Sequence, residues 1–380
     1  MMDADVLVAG AGPAGALTAI LLARAGCRVR LLDRETFPRH KLCGDTLNPG
    51  AVAILERHGL SASIASRALP IRGMVVTSPQ GVRVTGEYGA GVRGLSLLRR
   101  DMDWLLVEQA IAAGVSFEPH VIVQDALTDV ADGVTRVVGL SVRSAHGEVH
   151  SLRAPLTIAA DGRRSRLAFG LRLARHPRTP RRWAIGSYFS GVDGLAGFGE
   201  MHIRDGSYIG VSPVPGGLTN ACTVVSDPTP NTLANPAALL IDTLRRDPVL
   251  ADRFSDARME EPPVVIGPLA VDATGACLAG LLTVGDAAGF IDPMTGDGLR
   301  FAFRGAELAA AVAVESGGVS LASARALVAR REREFRGKWR MNRALRALVA
   351  SPMAVSCVAA SARVCPPIVR QLIARAGDVP

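Results

Sequence analysis

Residues 6–23 read VLVAGAGPAGALTAILLA, and this stretch decides how the chain begins to fold. The apolar run 5–9 fits a buried parallel strand, residues 14–25 have helical composition, and 28–32 form a second short apolar strand. The stretch is uncharged for long enough to suggest a membrane span, but three glycines and a proline fall within its first ten residues. The pattern therefore predicts a βαβ unit rather than a transmembrane helix.

The turn between the first strand and the helix carries a GxGxxG pattern, and an acid ends the second strand. Glycines there permit a tight turn and let the backbone approach a pyrophosphate, which the helix N-terminus stabilises. The acid accepts hydrogen bonds from a ribose diol. Packing alone can also require a glycine-rich turn, but strand, helix and acid in register favour a dinucleotide, either NAD or FAD. The residues concerned are Gly10, Gly12, Pro13, Ala14, Gly15, Asp33 and the adjacent Arg34.

Composition excludes several classes of protein. The formal charge of +8 comes from dispersed arginines, and aromatic residues make up only 4%, so nucleic acid is not an expected partner. The six cysteines show no metal-ligand spacing, and nothing resembles a secretory leader. We therefore expect free thiols, no metal and a cytoplasmic location.

Two further turns combine glycine with an acid. Residues 158–165 read IAADGRRS, and residues 282–293 read LTVGDAAGFIDP before a GDG that opens a helix. Each alone is compatible with an ordinary turn. In this order, and about 130 and about 120 residues apart, they are a stronger signal together.

The three motifs in this order resemble the flavoprotein oxidoreductases of the aromatic-hydroxylase type, the group A flavoprotein monooxygenases. The resemblance implies that the GxGxxG loop binds the FAD pyrophosphate and that Asp161 lies between the flavin and the nicotinamide path. Residues 98–103, LRRDMD, resemble that family's RxxLD helix start, with methionine in place of leucine, which implies an FAD contact for Arg99. The remaining FAD contacts that the resemblance implies are Gly285, Asp286, Gly296, Gly298 and Leu299.

The expected fold is α/β, with a Rossmann-like FAD-binding domain, an interleaved antiparallel β-sheet substrate domain and a helical C-terminus. We assign 1–70, 95–168 and 265–320 to the FAD-binding domain and 71–94 and 169–264 to the substrate domain. Residues 321–380 form the helical C-terminal segment. Within it, the basic run 325–346 contains Phe335 and Trp339, which fit either a membrane surface or packing on the domain.

Residues 37–50 read FPRHKLCGDTLNPG and resemble the PRxKxCG signature of the geranylgeranyl reductase family. Lys41 is one of only two lysines in the chain. We expect Arg39, Cys43 and Gly44 to lie beside the flavin, with Lys41 and Arg39 stabilising the reduced ring or guiding nicotinamide phosphates. The narrower isoprenoid reductases share a YxWxFP motif, whereas residues 208–213 here read YIGVSP.

The substrate and the reaction stay open at this stage. Because the tryptophan and phenylalanine of YxWxFP are missing, the sequence favours the first alternative, an NAD(P)H-dependent monooxygenase that hydroxylates a hydrophobic aromatic or polyketide-like molecule through a C4a-(hydro)peroxyflavin. The second is reduction of an isoprenoid or other activated double bond. A flavin halogenase is less favoured because residues 45–337 contain no lysine, and a membrane-peripheral electron-transfer flavoprotein is a further alternative. Electrons come from transient NAD(P)H or from a separate flavin reductase. The candidate catalytic residues are Cys43, Lys41, Tyr208 and His202.

Overall fold

The computed structural model describes residues 2–131, 133–178, 181–317, 319–351, 353–357, 371, 373–375 and 377. Part of the predicted C-terminal segment, including Cys365, lies outside the described residues.

Helices and strands alternate along the described chain. The helices are α1 Pro13–Arg24, α2 Pro49–Arg57, α3 Ser61–Ala65, α4 Arg99–Ala112, α5 Arg166–Gly170, α6 Pro230–Ala234, α7 Pro236–Arg246, α8 Gly298–Glu315 and α9 Leu321–Val349. The strands up to the middle of the chain are β1 Val6–Ala9, β2 Val29–Leu32, β3 Thr46–Leu47, β4 Leu69–Ile71, β5 Gly73–Thr77, β6 Arg83–Glu87, β7 Gly94–Ser96, β8 Ser116–Glu118, β9 Ile122–Ala131, β10 Val134–Arg143, β11 Val149–Arg153 and β12 Leu156–Ala159. The remaining strands are β13 Ala174–Arg175, β14 Arg182–Ser190, β15 Gly199–Arg204, β16 Ser207–Val214, β17 Leu218–Ser226, β18 Arg258–Met259, β19 Val264–Ile266, β20 Asp272–Ala273 and β21 Leu281–Thr283.

A five-stranded parallel sheet forms the Rossmann-like half of the molecule. Its strand order is β21-β12-β1-β2-β8, so strands that are far apart in the sequence lie side by side. All four residues of β1 and all four of β12 are buried, as expected for parallel strands covered on both faces. Because the strands are parallel, their carboxyl ends meet at one edge of the sheet.

Helices α1, α4 and α8 pack together in the same hydrophobic core as this sheet. A methyl group on Gly15 of α1 would lie 1.9 Å from the Gly10 carbonyl oxygen, so only glycine allows the helix to start this close to its own turn. The packing of α1 on its own turn thus depends on the glycine motif that opens the chain.

A second, larger sheet has the order β18-β14-β17-β16-β15-β5-β6, with β19 also paired to β14. It is antiparallel except for the pairing of β15 with β5, which is parallel. Its strands alternate between two faces. The outer face packs on α7 through a cluster that includes Ile185 and Ile209, whereas the inner face carries Ala184, Tyr208 and Val224.

The remaining strands form small sheets. These are β11-β10-β9, β3-β7-β4 and the pair β13-β20. Helix α9 lies against α8, with Phe335 almost fully buried and its ring 5.7 Å from that of Trp339. Phe335 therefore packs within the protein, and Trp339 beside it is half-buried.

The expected fold class is confirmed, with one parallel pairing in the sheet we expected to be purely antiparallel. The predicted helices and the first two strands differ from the observed ones by about two residues at their ends, as is usual for fraying termini. Strands β5 and β6 share a sheet with β14 to β19, but the domain boundaries stay a prediction. In the part of the chain that the structure describes, every helix is too short or too polar to cross a bilayer.

Candidate functional site

The three sequence motifs meet at the carboxyl edge of the parallel sheet. The glycine loop follows β1, Asp33 follows β2, Asp161 follows shortly after β12, and Asp286 follows β21. Parallel pairing thus gathers residues that lie more than two hundred positions apart in the sequence. Ligands of open α/β sheets bind at this kind of edge.

The glycine loop is shaped by backbone contacts. Gly10 has φ 101°, and a methyl group there would lie 2.5 Å from the Ala160 carbonyl oxygen. In contrast, a methyl on Gly12 would have only Arg39 Nη2 within 4 Å, at 3.5 Å. Helix α1 begins at this point without a side-chain cap. The turn therefore presents a helix N-terminus and an arginine to a ligand phosphate.

Asp33 holds the loop in this shape. Its Oδ2 accepts a hydrogen bond from the Ala11 backbone N–H at 2.7 Å, and its Oδ1 accepts one from the Glu35 N–H at 3.0 Å. The carboxylate retains further acceptor positions for a ribose hydroxyl. The neighbouring Arg34 is exposed and pairs with Glu35, so its predicted FAD contact has no support from its position.

Asp103 on α4 binds two arginines at the bottom of the site. It is fully buried and forms a bidentate pair with Arg99 at 2.8 and 2.9 Å and a second ion pair with Arg39 at 3.0 Å. Burial opposes the charge on Arg99, but Asp103 and the nearby Cys43 raise its pKa overall. Arg39 also lies 5.0 Å from the ring centroid of Phe37. One carboxylate thus positions two cations. The sequence pattern linked Asp103 only with Arg99, at the start of α4.

Lys41 lies where the three motifs meet. Its Nζ would be 4.0 Å from a methyl group on Gly162. Burial, with repulsion by Arg99 and Arg39, lowers the pKa of Lys41, while Asp286 acts in the opposite direction. The segment 37–50 therefore brings a lysine and an arginine into the space bounded by the glycine loop, the DG turn and the GD turn.

The second and third motifs face each other across this space. Asp161 Oδ2 accepts from the Arg166 N–H at 2.7 Å, whereas its buried Oδ1 has no hydrogen-bond partner among the described residues. Burial raises the pKa of Asp161. A methyl on Gly285, which has φ 58°, would lie 2.8 Å from Ala14 Cβ, so the GD turn packs directly on the start of α1.

The turn before α8 is held by the chain's second lysine, which sequence reasoning did not place at the site. Lys338 Nζ of α9 binds Asp297 Oδ1 at 3.0 Å, and Asn48 Nδ2 donates to the same oxygen at 3.1 Å. Gly296 before it has φ 66°. The rarity of lysine was the one available signal, because both lysines lie at these motifs.

Asp45, to which the sequence assigned no role of its own, lies at the junction of the two sheets. Its fully buried carboxyl accepts hydrogen bonds from Tyr188 Oη at 2.9 Å, Asn220 Nδ2 at 2.6 Å and the Arg99 N–H at 2.9 Å. Burial raises the pKa of Asp45 to about 7, against the effect of these donors. Asn220 also donates to the Cys43 carbonyl at 2.7 Å. The loop is thereby fixed to the inner face of the second sheet.

Two thiols lie close to this junction. Cys43 is half-buried beside Arg99, and Cys222 projects from the inner face of β17. Burial, and then the proximity of Cys43, raises the pKa of Cys222 to about 12. Cys222 is therefore a protonated thiol at neutral pH.

The two candidate catalytic residues of the second sheet, His202 and Tyr208, lie on opposite faces of that sheet. His202 is fully buried on the outer face, where its ring contacts Glu200 at 3.0 Å and Thr77 at 2.9 Å, remote from the motifs. Tyr208 is on the inner face, and its hydroxyl donates to Asp292 at 2.6 Å in the loop before α8. Of the two, only Tyr208 borders the site.

The residues present fit a flavin dinucleotide. The open face of Gly12, the uncapped start of α1 and the cations near the loop suit a pyrophosphate. The half-buried carboxylate of Asp286 in the GD turn and the unpartnered Asp161 oxygen suit ligand hydroxyl or N–H groups. A methyl group on Gly10 or Gly15 would clash with backbone atoms, so the loop adopts this shape only with glycine at both positions.

Comparison with known proteins agrees with this reading. A family model described as "FAD binding domain" matches residues 3–187. The chain is 30% identical to digeranylgeranylglycerophospholipid reductase 1 of Methanopyrus kandleri, over 83% of this chain and 81% of that protein. It is also 30% identical to the menaquinone reductase of Mycolicibacterium smegmatis, over 83% of this chain and 78% of that protein.

Solved structures share the fold. A geranylgeranyl bacteriochlorophyll reductase-like protein from Thermoplasma acidophilum aligns with a TM-score of 0.77 and 23% identity, covering 93% of this chain and 89% of that one. A myxobacterial chondrochloren halogenase aligns with a TM-score of 0.78 and 24% identity, covering 88% and 80%. At these identities the likeness establishes architecture and not the reaction.

Proposed function

The chain belongs to the geranylgeranyl reductase family of FAD-dependent oxidoreductases, and on that premise we propose that it reduces a carbon–carbon double bond in a hydrophobic small molecule. NAD(P)H is the proposed reductant. FAD, when bound, accepts two electrons from the nicotinamide and passes them to the substrate.

The cations of the site support this proposal because they stabilise negative charge. Arg39, Lys41 and Arg99 converge on one space, and Asp103 neutralises only part of their combined charge. Burial first, and then repulsion by Arg99 and Arg39, lowers the pKa of Lys41. An added electron pair on a bound ring would relieve the repulsion, so these side chains favour the reduced state of the cofactor.

The observation that carries the proposal is the character of the inner face of the second sheet. The groups that border the site there are apolar side chains and protonated donors, since burial raises the pKa values of Tyr188, Tyr208 and Cys222. Saturating a double bond needs a proton donor and an apolar wall.

The test is anaerobic. Purified protein reduced with NADH or NADPH is mixed with menaquinone or with a digeranylgeranylglycerophospholipid, the compounds that the relatives' names supply. Flavin reoxidation together with a product that stays two hydrogen atoms heavier after air oxidation of any quinol supports the proposal. A protein that stays reduced in the presence of every alkene, yet reoxidises rapidly in air, contradicts it.

Hydroxylation of an aromatic or polyketide-like substrate is the second candidate. It is favoured by residues 208–213, YIGVSP, where the tryptophan and phenylalanine of the narrower isoprenoid reductases are absent. Oxygen uptake that a phenol stimulates, with one oxygen atom added to the product, would support it over the first. If a separate flavin reductase supplies the electrons, NADH and NADPH should fail to reduce the FAD bound to this protein.

A further inference from the structure

The buried carboxyl of Asp45 sits in an arrangement that specifies where its proton goes. Oδ1 accepts from the Arg99 backbone N–H, and Oδ2 accepts from both Tyr188 and Asn220. Asp45 forms no ion pair within the described part of the chain, and its backbone has a left-handed conformation with φ 54°. Both carboxyl oxygens are therefore already occupied by donors.

Only one of the three donors can reverse its role. A backbone N–H and an amide NH₂ group are fixed donors, whereas a hydroxyl both donates and accepts. A proton bound to Asp45 must consequently lie on Oδ2 and be donated to the Tyr188 hydroxyl oxygen. A proton on the Asp45 carboxyl can therefore be passed only to the Tyr188 hydroxyl.

The surrounding charges are compatible with a proton on this carboxyl. Burial raises the pKa of Asp45, with Arg99 of α4, itself paired with Asp103, acting in the opposite direction. The other ionisable groups that face the pair are the thiols Cys43 and Cys222 and, towards Tyr188, the carboxylate of Glu261. The cation nearest to the carboxyl is thus already engaged by another carboxylate.

Tyr188 connects this carboxyl to the inner face of the second sheet. It lies on β14 two residues after Gly186, on the same face as Ala184, and it is half-buried whereas Asp45 is fully buried. A methyl group on Gly186 would lie 2.7 Å from Leu42 Cδ1, so the loop 37–50 packs against this part of the strand. The phenol is therefore the member of the pair that borders the apolar wall.

We propose that Asp45 and Tyr188 are the proton-donating pair of the reduction, with Tyr188 as the direct donor and Asp45 as its reservoir. The inference rests on the proposed function. As the π bond breaks, one carbon gains a hydrogen with two electrons from the reduced cofactor, and the other gains a proton from the Tyr188 hydroxyl. Asp45 returns a proton to Tyr188 and is left as a carboxylate, which water reprotonates.

The pair itself is tested on the FAD-loaded protein without substrate, by infrared difference spectroscopy across pH 5 to 9. We expect the carbonyl band of a protonated carboxyl that disappears with a midpoint near 7. The band should be absent in Asp45→Asn. In Tyr188→Phe it should persist to higher pH, because the carboxylate has lost a donor. Tyr208→Phe removes a hydroxyl from Asp292, which is ion-paired with Arg182, and should leave the band unchanged. A band that survives in Asp45→Asn, or no titrating band in the native protein, overturns the inference.

The donor role is tested by anaerobic single-turnover reoxidation with a digeranylgeranylglycerophospholipid, which unlike menaquinone has no quinone ring that could take the electrons. Tyr188→Phe should slow reoxidation by at least about tenfold and reduce its solvent isotope effect, while the rate of flavin reduction by NAD(P)H stays the same. Reoxidation at the native rate in this variant overturns the donor role. If the native protein is not reoxidised by any alkene, the proposed function fails and the donor role with it, while the infrared titration still decides whether the pair shares a proton. Tyr188→Phe also serves should Asp45→Asn fail to fold, since its position is half-buried.

Discussion

Lys41 stands out in the sequence because the chain has only two lysines, and the structure places it where the three motifs meet. Removing its charge should weaken the binding of reduced FAD more than that of oxidised FAD. For Lys41→Met we expect the preference for the reduced form to fall by about tenfold, which for two electrons corresponds to about 30 mV in midpoint potential. Dye equilibration of the bound flavin measures this, with the exposed Arg67→Met as a matched loss of one charge. An equal shift in both variants would contradict a local effect.

Cys43 allows a second prediction at the scale of one residue. Its thiol is half-buried beside Arg99, and its carbonyl accepts from Asn220 through the backbone, which an alanine preserves. Cys43→Ala should therefore keep the FAD occupancy of the native protein while lowering turnover. Flavin absorbance per protein and steady-state rates give both values, and turnover equal to that of the native protein would show that the thiol takes no part in the reaction.

At the scale of elements, the N-terminal βαβ unit depends on Gly10 and Gly15, where an added methyl group would clash with the backbone. A glycine in the middle of an ordinary helix, in contrast, can be replaced by alanine with a gain in stability. Gly15→Ala would place a methyl 1.9 Å from a carbonyl oxygen, and we expect a loss of about 3 kcal/mol or more in the free energy of unfolding. Gly337 in α9 has nothing within 4 Å of an added methyl, so Gly337→Ala should stabilise the protein by up to about 1 kcal/mol. Chemical denaturation of both variants measures the difference, and equal effects would contradict the packing described for the loop.

The elements themselves were largely predictable, because glycine turns and apolar periodicity are local signals. Helices α4 and α8 and the first two strands follow directly from such patterns. The two faces of β15 do not follow from such patterns, and the prediction of His202 as a catalytic residue therefore rested on its chemistry and not on its orientation. Which side it points to depends on the pairing of β15 with β5 and β16, and that pairing places it on the α7 side. Likewise, Asp45 meets Tyr188 and Asn220 across 143 and 175 positions, a contact that no spacing rule reveals.

On the scale of the whole molecule, Asp45 links stability to pH. Its pKa rises from an ordinary carboxyl value to about 7 on folding, so between about pH 4 and pH 7 the folded protein binds more protons than the unfolded chain. This contribution is therefore largest at low pH and is lost as pH rises through 7. Denaturation of the native protein should show this downward slope relative to Asp45→Asn, which is less stable at low pH because its amide cannot accept at both ends. Parallel pH profiles for the two proteins would contradict the assignment.

The two sheets and α9 act together to enclose one site. The parallel sheet supplies the motifs, the loop 37–50 connects them to the inner face of the second sheet, and α9 holds the turn before α8 through Lys338. This arrangement unites residues from nearly the whole described chain around a single cofactor. The central claim is that electrons held there are delivered to a carbon–carbon double bond.

The most direct test of that claim follows the fate of one reducing equivalent. The FAD-loaded protein is reduced anaerobically with one equivalent of NADH or NADPH and mixed with menaquinone, and the product mass is determined together with the flavin absorbance. The account predicts stoichiometric reoxidation and a product that is still two hydrogen atoms heavier after air has returned any quinol to the quinone. Flavin that stays reduced until air is admitted, followed by a phenolic product heavier by one oxygen atom, would contradict it.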